Sequence, residues 1–288
     1  MTLLVLLYMS LGLNVVVLWV LLNHAQDAQS SLRRLESQQW YTQQMVKSVW
    51  RKNSLKLLID ADIVCFRAAF SAENDPLYVA CARADEMLDN MLEATNSDSA
   101  ELWLSGPDNF RYKIYPEYKA NRITAKRPKW EKELKEYFVT EWQANWSQGC
   151  EADDMLGLRS CELQAAGSPV CIATIDKDLD MIPGNHYNFV QGIKYFVDDD
   201  KALRNFYYQC LVGDSADGIK GVPGIGPTKA KAILHSCETI EELHEAVKEK
   251  FSCEEEFEMN AKVLWIWRKP NDIWNGLKGV SVPSLPAS

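Results

Sequence analysis

Short apolar runs that end in carboxylates constrain this chain more than any other feature. Leu57-Leu58-Ile59 leads into Asp60, and Val170-Cys171-Ile172-Ala173-Thr174-Ile175 leads into Asp176, with Asp178 two residues on. Continuous apolar runs of this length read as buried strands. Glu151-Ala152-Asp153-Asp154 puts three carboxylates into four residues ahead of a helix-like stretch, Met155-Leu156-Gly157-Leu158. Asp214 and Asp217 precede a glycine-rich turn. Acids at a helix start complement the positive end of its dipole, which is the bland account of Asp153 and Asp154. Their recurrence after strand-like runs supports a sharper one, in which the chain gathers these carboxylates around divalent ions.

The first part of the chain carries a different signal. Residues 3–22 form an almost unbroken apolar run, and about 20 such residues span a bilayer as a helix. No basic segment precedes it, so a removable signal peptide is disfavoured. Arg33, Arg34, Lys47, Arg51 and Lys52 follow it, which would keep the rest of the chain cytoplasmic and tethered to an inner membrane. Residues 1–54 are therefore expected to hold a single span and a polar linker. The alternative is a soluble cytoplasmic enzyme that begins at Met45. The eight cysteines form no C-x-x-C pair, which reads as reduced thiols in a cytosolic compartment.

From residue 56 the pattern is α/β. Strands are expected at 56–60, 101–105 and 170–174, with 187–190 and 194–197 pairing later. Helices are expected at 63–70, 77–94, 130–146 and 155–166. This alternation predicts a mainly parallel sheet flanked by helices over residues 55–200. Residues 201–278 read as a helical region, and 279–288 as a flexible tail.

In such a sheet, ligands bind beyond the carboxyl ends of the strands. Asp60, Asp108, Asp176 and Asp178 follow predicted strands, and Glu151, Asp153 and Asp154 would meet them from a helix start. Glu151 and Asp154 share a helical face while Asp153 points elsewhere, which suits two ions. Two carboxylates ~5 Å apart at an effective dielectric of ~20 repel by about 3 kcal/mol. Several such pairs would cancel a typical stability of roughly 5–15 kcal/mol, so cations are expected among them. Oxygen-only ligands favour Mg²⁺ or Mn²⁺, and paired ions suit in-line attack on a phosphodiester.

The net charge of −9 would disfavour a nucleic-acid partner, but the distribution is uneven. Between residues 111 and 135, Arg111, Lys113, Lys119, Arg122, Lys126, Arg127, Lys129, Lys132 and Lys135 face only Glu117, Glu131 and Glu133. Lys119 and Arg122 are candidates for phosphate neutralisation, Arg111 for DNA binding and Tyr118 for base stacking. In Gly221-Val222-Pro223-Gly224-Ile225-Gly226-Pro227-Thr228-Lys229-Ala230, Gly224 and Gly226 free backbone N–H groups for a phosphate, and Thr228 and Lys229 open the next helix. This reads as a helix-hairpin-helix mark for duplex DNA.

Taken in order, Leu58-Ile59-Asp60-Ala61-Asp62, Tyr115-Pro116-Glu117-Tyr118-Lys119-Ala120-Asn121-Arg122, Glu151-Ala152-Asp153-Asp154, Thr174-Ile175-Asp176-Lys177-Asp178, Gly213-Asp214-Ser215-Ala216-Asp217 and the glycine hairpin resemble the flap-endonuclease-like 5′→3′ nucleases, closest to those of phages. The resemblance implies a helical arch and a helix-three-turn-helix element in the C-terminal region. It implies a first metal site of Asp60, Asp108, Glu151 and Asp153, and a second of Asp154, Asp176, Asp178, Asp214 and Asp217. It also implies that Lys119 and Arg122 steer the scissile phosphate, that Arg67 makes a further phosphate contact, and that the hairpin binds K⁺. The chain departs from the family in having Ala61 where Gly is usual, and in the apolar run 3–22.

The implied function is a Mg²⁺-dependent 5′→3′ exonuclease or flap endonuclease acting on DNA with a 5′ end or flap, in phage replication, recombination or host DNA degradation. The alternatives are an RNase H-like activity on RNA–DNA hybrids and a catalytically silent DNA-binding paralogue.

Overall fold

The computed structural model describes residues 55–122 and 125–277, all within one compact unit, Val49–Ser288. Strand β1 (Leu55–Asp60) is the centre of a six-stranded sheet. Beside it run β2 (Ser97–Leu104) and β4 (Val170–Ala173), both parallel to it. Strand β3 (Asn145–Trp146) extends the sheet beyond β2, and β5 (Gly184–Asn188) extends it beyond β4, again in parallel. Only β6 (Ile193–Val197) is antiparallel, closing a hairpin on β5. The expected mainly parallel α/β sheet is thus present, in the order β3-β2-β1-β4-β5-β6.

Both faces of the sheet are covered, as parallel sheets require. Leu55, Leu57 and Ile59 of β1 point into one layer with α1 (Ala61–Ser71), α2 (Leu77–Thr95) and α4 (Glu131–Glu141). Leu58 points the other way, into a layer with Leu156 of α5 (Ala152–Ala165), Ile172 and Ile182. This is the two-residue alternation of a strand, hidden in a sequence run that is apolar throughout. Helices α6 (Asp199–Val212), α7 (Pro227–His235), α8 (Ile240–Lys248) and α9 (Glu254–Leu264) form a second core around Phe206, Tyr207, Phe257, Trp265 and Trp274. A short ribbon of β7 (Gly213–Asp214) and β8 (Ile219–Lys220) joins α6 to α7.

Two expectations are revised. The helix expected over 130–146 stops at Glu141, because Gln143 adopts a left-handed φ of 53° and the Ala144 N–H bonds back to the Phe138 carbonyl. This closure releases Asn145 and Trp146 to pair with the end of β2. Where a helical arch was expected, the described residues hold only the four-residue α3 (Arg111–Ile114) and a 3-10 turn, Ala120–Arg122. Among the described residues no helix is long and apolar enough to cross a membrane. The span expected at 3–22 and the tail expected at 279–288 lie outside them.

Gly157 marks the closest approach of α5 to the C-terminal chain. A Cβ there would stand 2.5 Å from the Trp267 carbonyl oxygen and 2.8 Å from Ile182 Cδ1. Backbone on one side and a buried side chain on the other cannot both yield. Gly157→Ala should destabilise the protein by about 1–3 kcal/mol, read as a lower urea midpoint with unchanged slope.

Candidate active site

The carboxyl ends of β1 and β4 place Asp60 and Asp176 on one edge of the sheet. Asp60 caps α1, accepting from the Ile63 N–H at 3.2 Å, and takes a second bond from the Thr174 hydroxyl at 3.3 Å. Asp176 caps the following 3-10 turn, Lys177–Met181, through the Asp178 N–H at 2.9 Å. Asp153 faces Asp60 and Asp176 from the first turn of α5, and Asp214 stands across from Asp178. No ion pair involves Asp60, Asp153, Asp176, Asp178 or Asp214 among the described residues.

The electrostatic consequence is large. Burial, and then the charge of Asp62, raise the Asp60 carboxyl to about 7, against an opposing bond from the Ile63 N–H. Burial, Asp176 and Asp214 raise Asp178 to about 7. Burial, Asp60 and Asp176 push Asp153 well above the usual carboxylate range. As they stand, no three His, Cys, Asp or Glu side chains among the described residues close tightly enough to hold an ion. The donor set is all oxygen, and it fits Mg²⁺ or Mn²⁺ by chemistry.

Glu151 and Asp217, also expected as ligands, are occupied differently. The Tyr118 hydroxyl bridges them, 2.8 Å from Glu151 Oε2 and 2.7 Å from Asp217 Oδ2. The Lys119 ammonium bonds Glu151 Oε1 and lies 3.5 Å from Asp217 Oδ2. Arg122 bonds Asp217 and donates through Nε to the Ala216 carbonyl at 2.9 Å. Burial opposes the Lys119 charge, but Glu151 and Asp217 hold its pKa above the ordinary lysine value. Lys119 itself adopts a left-handed φ of 57°, with its N–H on the Asp217 carbonyl at 2.8 Å. Lys119, Arg122, Glu151 and Asp217 are therefore one network beside the free carboxylates.

Four assignments do not survive the geometry. Tyr118 is 3% exposed and its hydroxyl is committed, so it offers no stacking face for a base. Arg111 is equally buried and binds inward, with Nη1 and Nη2 on Asp154 at 2.5 and 2.9 Å and further bonds to the Val263 and Trp265 carbonyls. It is a structural anchor rather than a DNA contact. Asp154 is fully buried and also accepts from the Glu151 and Trp267 N–H groups, which leaves no room for an ion. Asp108 is exposed and, among the described residues, makes no ion pair or side-chain hydrogen bond that would fix it in a site. Arg67 is exposed on α1 and borders a shallow cavity with Tyr187 and Val190.

One residue was missed. Asp62 lies beside Asp60 at the start of α1, accepts from the Ser105 N–H at 2.7 Å and pairs with Lys135 Nζ at 2.7 Å. It thus brings a carboxylate over the end of β2, where Asp108 was expected to act. The pair of acids two apart in Asp60-Ala61-Asp62 was the available signal. In the hairpin, Gly224 has a φ of 77° and Gly226 caps α7, with open space around both. Thr228 and Lys229 are exposed on its first turn, and Lys229 Nζ donates to the Gly224 carbonyl at 2.9 Å.

The chain resembles known proteins in sequence and in fold. Residues 56–206 match the family described as 5′-3′ exonuclease, N-terminal resolvase-like domain. A 5′-3′ exonuclease of Buchnera aphidicola subsp. Baizongia pistaciae is 26% identical over 229 residues, covering 71% of this chain and 74% of that one. DNA polymerase I of Bacillus caldotenax is 25% identical over 218 residues, covering 67% of this chain but only 24% of the polymerase. In fold, the chain is similar to the bacteriophage T5 flap endonuclease, crystallised as a pseudo-enzyme–product complex with DNA and metal ions. That match has a TM-score of 0.57 at 20% identity, over 73% of this chain and 88% of the other.

Two outcomes follow from the site. Asp60 and Asp178 sit near 7 in the folded protein, above the ~4 of an unfolded carboxylate. The folded state then binds more protons across that interval, and metal-free stability falls as pH rises from about 4 to about 7. Asp60→Asn should therefore melt higher than the parent in EDTA at pH 8, with the gap shrinking toward pH 4. Asp154→Asn leaves the Arg111 charge buried without its partner, and should cost about 3–5 kcal/mol in chemical denaturation. Divalent-ion affinity of the folded variant should be unchanged.

Proposed function

The chain belongs to the 5′-3′ exonuclease family through its resolvase-like domain, and from that premise we propose that it is a divalent-metal-dependent nuclease that hydrolyses DNA from a 5′ end or flap. The observation that carries this reading is the set Asp60, Asp153, Asp176, Asp178 and Asp214, crowded at the carboxyl edge of the sheet without a cationic partner among the described residues. Together with Asp62, these residues would hold two ions, Mg²⁺ or Mn²⁺. Ions bound there would supply Lewis acidity to the attacking water and to the departing 3′-oxygen, so that products carry a 5′-phosphate.

The rest of the chemistry belongs to the chain. Lys119 and Arg122 present fixed cations beside the carboxylates, where charge gathers on the reacting phosphate. Glu151 and Asp217 hold those cations in place, and Tyr118 locks the two acids together from behind. The open glycine hairpin, with Lys229 on the first turn of α7, provides N–H groups and charge for the duplex backbone at a distance from the cut.

The test uses the full chain and DNA labelled at one 5′ end, with Mg²⁺ or with EDTA. Early release of short labelled product, only with metal, is the expected result. Asp153→Asn should abolish release while keeping salt-sensitive DNA binding. Binding without cleavage by the parent would instead mark a silent DNA-binding protein. Lys119→Met should lower kcat roughly 10²–10³-fold, the scale of losing one preorganised charge donor, with a smaller change in duplex affinity. Equal losses in both would make Lys119 a mere anchor.

A further inference from the structure

Trp146 has no role in the site described above, yet the fold carries it there. The register Asp60↔Trp103↔Asn145 puts it one residue beyond the level of Asp60, two strands away. At about 4.8 Å per strand, that is roughly 10 Å along the carboxyl edge. Among the described residues it is the one exposed tryptophan, at 42%. Trp103, Trp130 and Trp142 are half-buried, and Trp265, Trp267 and Trp274 are buried. Its neighbour in the direction of the carboxylates is Lys135, whose Nζ lies 5.9 Å from the indole centroid and 2.7 Å from Asp62 Oδ1. An unbroken path of Trp146, Lys135, Asp62 and Asp60 thus joins an open aromatic face to the reacting edge.

A lone exposed apolar side chain needs no explanation in general. Here three features coincide. The ring is large and flat, and among the described residues its indole N–H makes no hydrogen bond. The release of residues 145–146 from α4 through the left-handed Gln143 is what brings the ring to the edge. Lys135, held by Asp62 and Glu131, ties the base of the ring to the carboxylate edge rather than leaving it on a mobile surface.

We propose that Trp146 is a stacking platform for a nucleobase of the DNA, a positioning residue that sets where the strand stops relative to the carboxylates. With bases spaced at about 3.4 Å along a stacked strand, a separation of roughly 10 Å places that base about three nucleotides from the scissile phosphate. The inference rests on the nuclease reading, and its test separates the two.

The substrates are DNA duplexes with a 5′ single-stranded extension carrying 2-aminopurine at one of its nucleotides in turn. Binding to the full chain in EDTA should quench the fluorescence at one or two of these positions. Trp146→Ala should abolish that quench, and Trp146→Phe should restore much of it. With Mg²⁺, Trp146→Ala should raise KM about tenfold, the scale of one lost base–aromatic stack, and change kcat less. A quench in Trp146→Ala equal to the parent's would overturn the platform, as would a loss that Trp146→Phe fails to rescue. Lack of Mg²⁺-dependent cleavage by the parent would overturn the nuclease reading instead.

Discussion

Repulsion among buried carboxylates is the constraint around which this structure is arranged. Asp60, Asp153, Asp176 and Asp178 meet from β1, α5 and the turn after β4, three segments spread over more than a hundred residues. Asp176 raises Asp60, Asp153 and Asp178 alike, and Asp60 raises Asp153. The sheet tolerates this because β1 and β4 are buried on both faces by apolar side chains, and the acids sit only at the strand ends. Burial and mutual charge raise the Asp60, Asp153 and Asp178 carboxyl groups there, the pattern on which the proposed metal site rests.

The neighbouring acids show how the chain separates roles within one short motif. Asp153 and Asp154 are adjacent in sequence and about 100° apart around α5. One turns to the open edge. The other turns inward to Arg111, whose remaining donors hold the carbonyls of Val263 and Trp265. That buried pair ties the basic segment, α5 and the C-terminal chain together. Gly157, pressed against the Trp267 carbonyl, reinforces the same contact from one turn further on.

The sheet was legible because β1 and β4 are continuous apolar runs, and α2 has clear helical spacing between Pro76 and Asn96. Strand β3 was not, since two residues hold no pattern and exist as a strand only through β2. The free carboxylates at strand ends were legible for the same topological reason. The division between Asp153 and Asp154 was not, because it depends on where Arg111 lands, a tertiary fact. Arg111 and Tyr118 misled for a related reason. Cations and aromatics in alternation look like a surface, yet here the hydroxyl and the guanidinium are spent on buried acids.

The division of the basic residues completes the argument. Of the cations between residues 111 and 135, Arg111 is consumed by folding, Lys135 by Asp62, and Lys119 and Arg122 by Glu151 and Asp217. A lysine held at a left-handed φ costs of order 1–3 kcal/mol, and burial of its ammonium adds to that. Such a cost persists only where surrounding contacts overdetermine it, and here two acids, one backbone bond and the Tyr118 bridge do so. A solvated basic surface would attract DNA by charge alone. Cations fixed on acids at the rim of a carboxylate cluster can instead compensate charge at one point, which is what a reaction at a single phosphate requires.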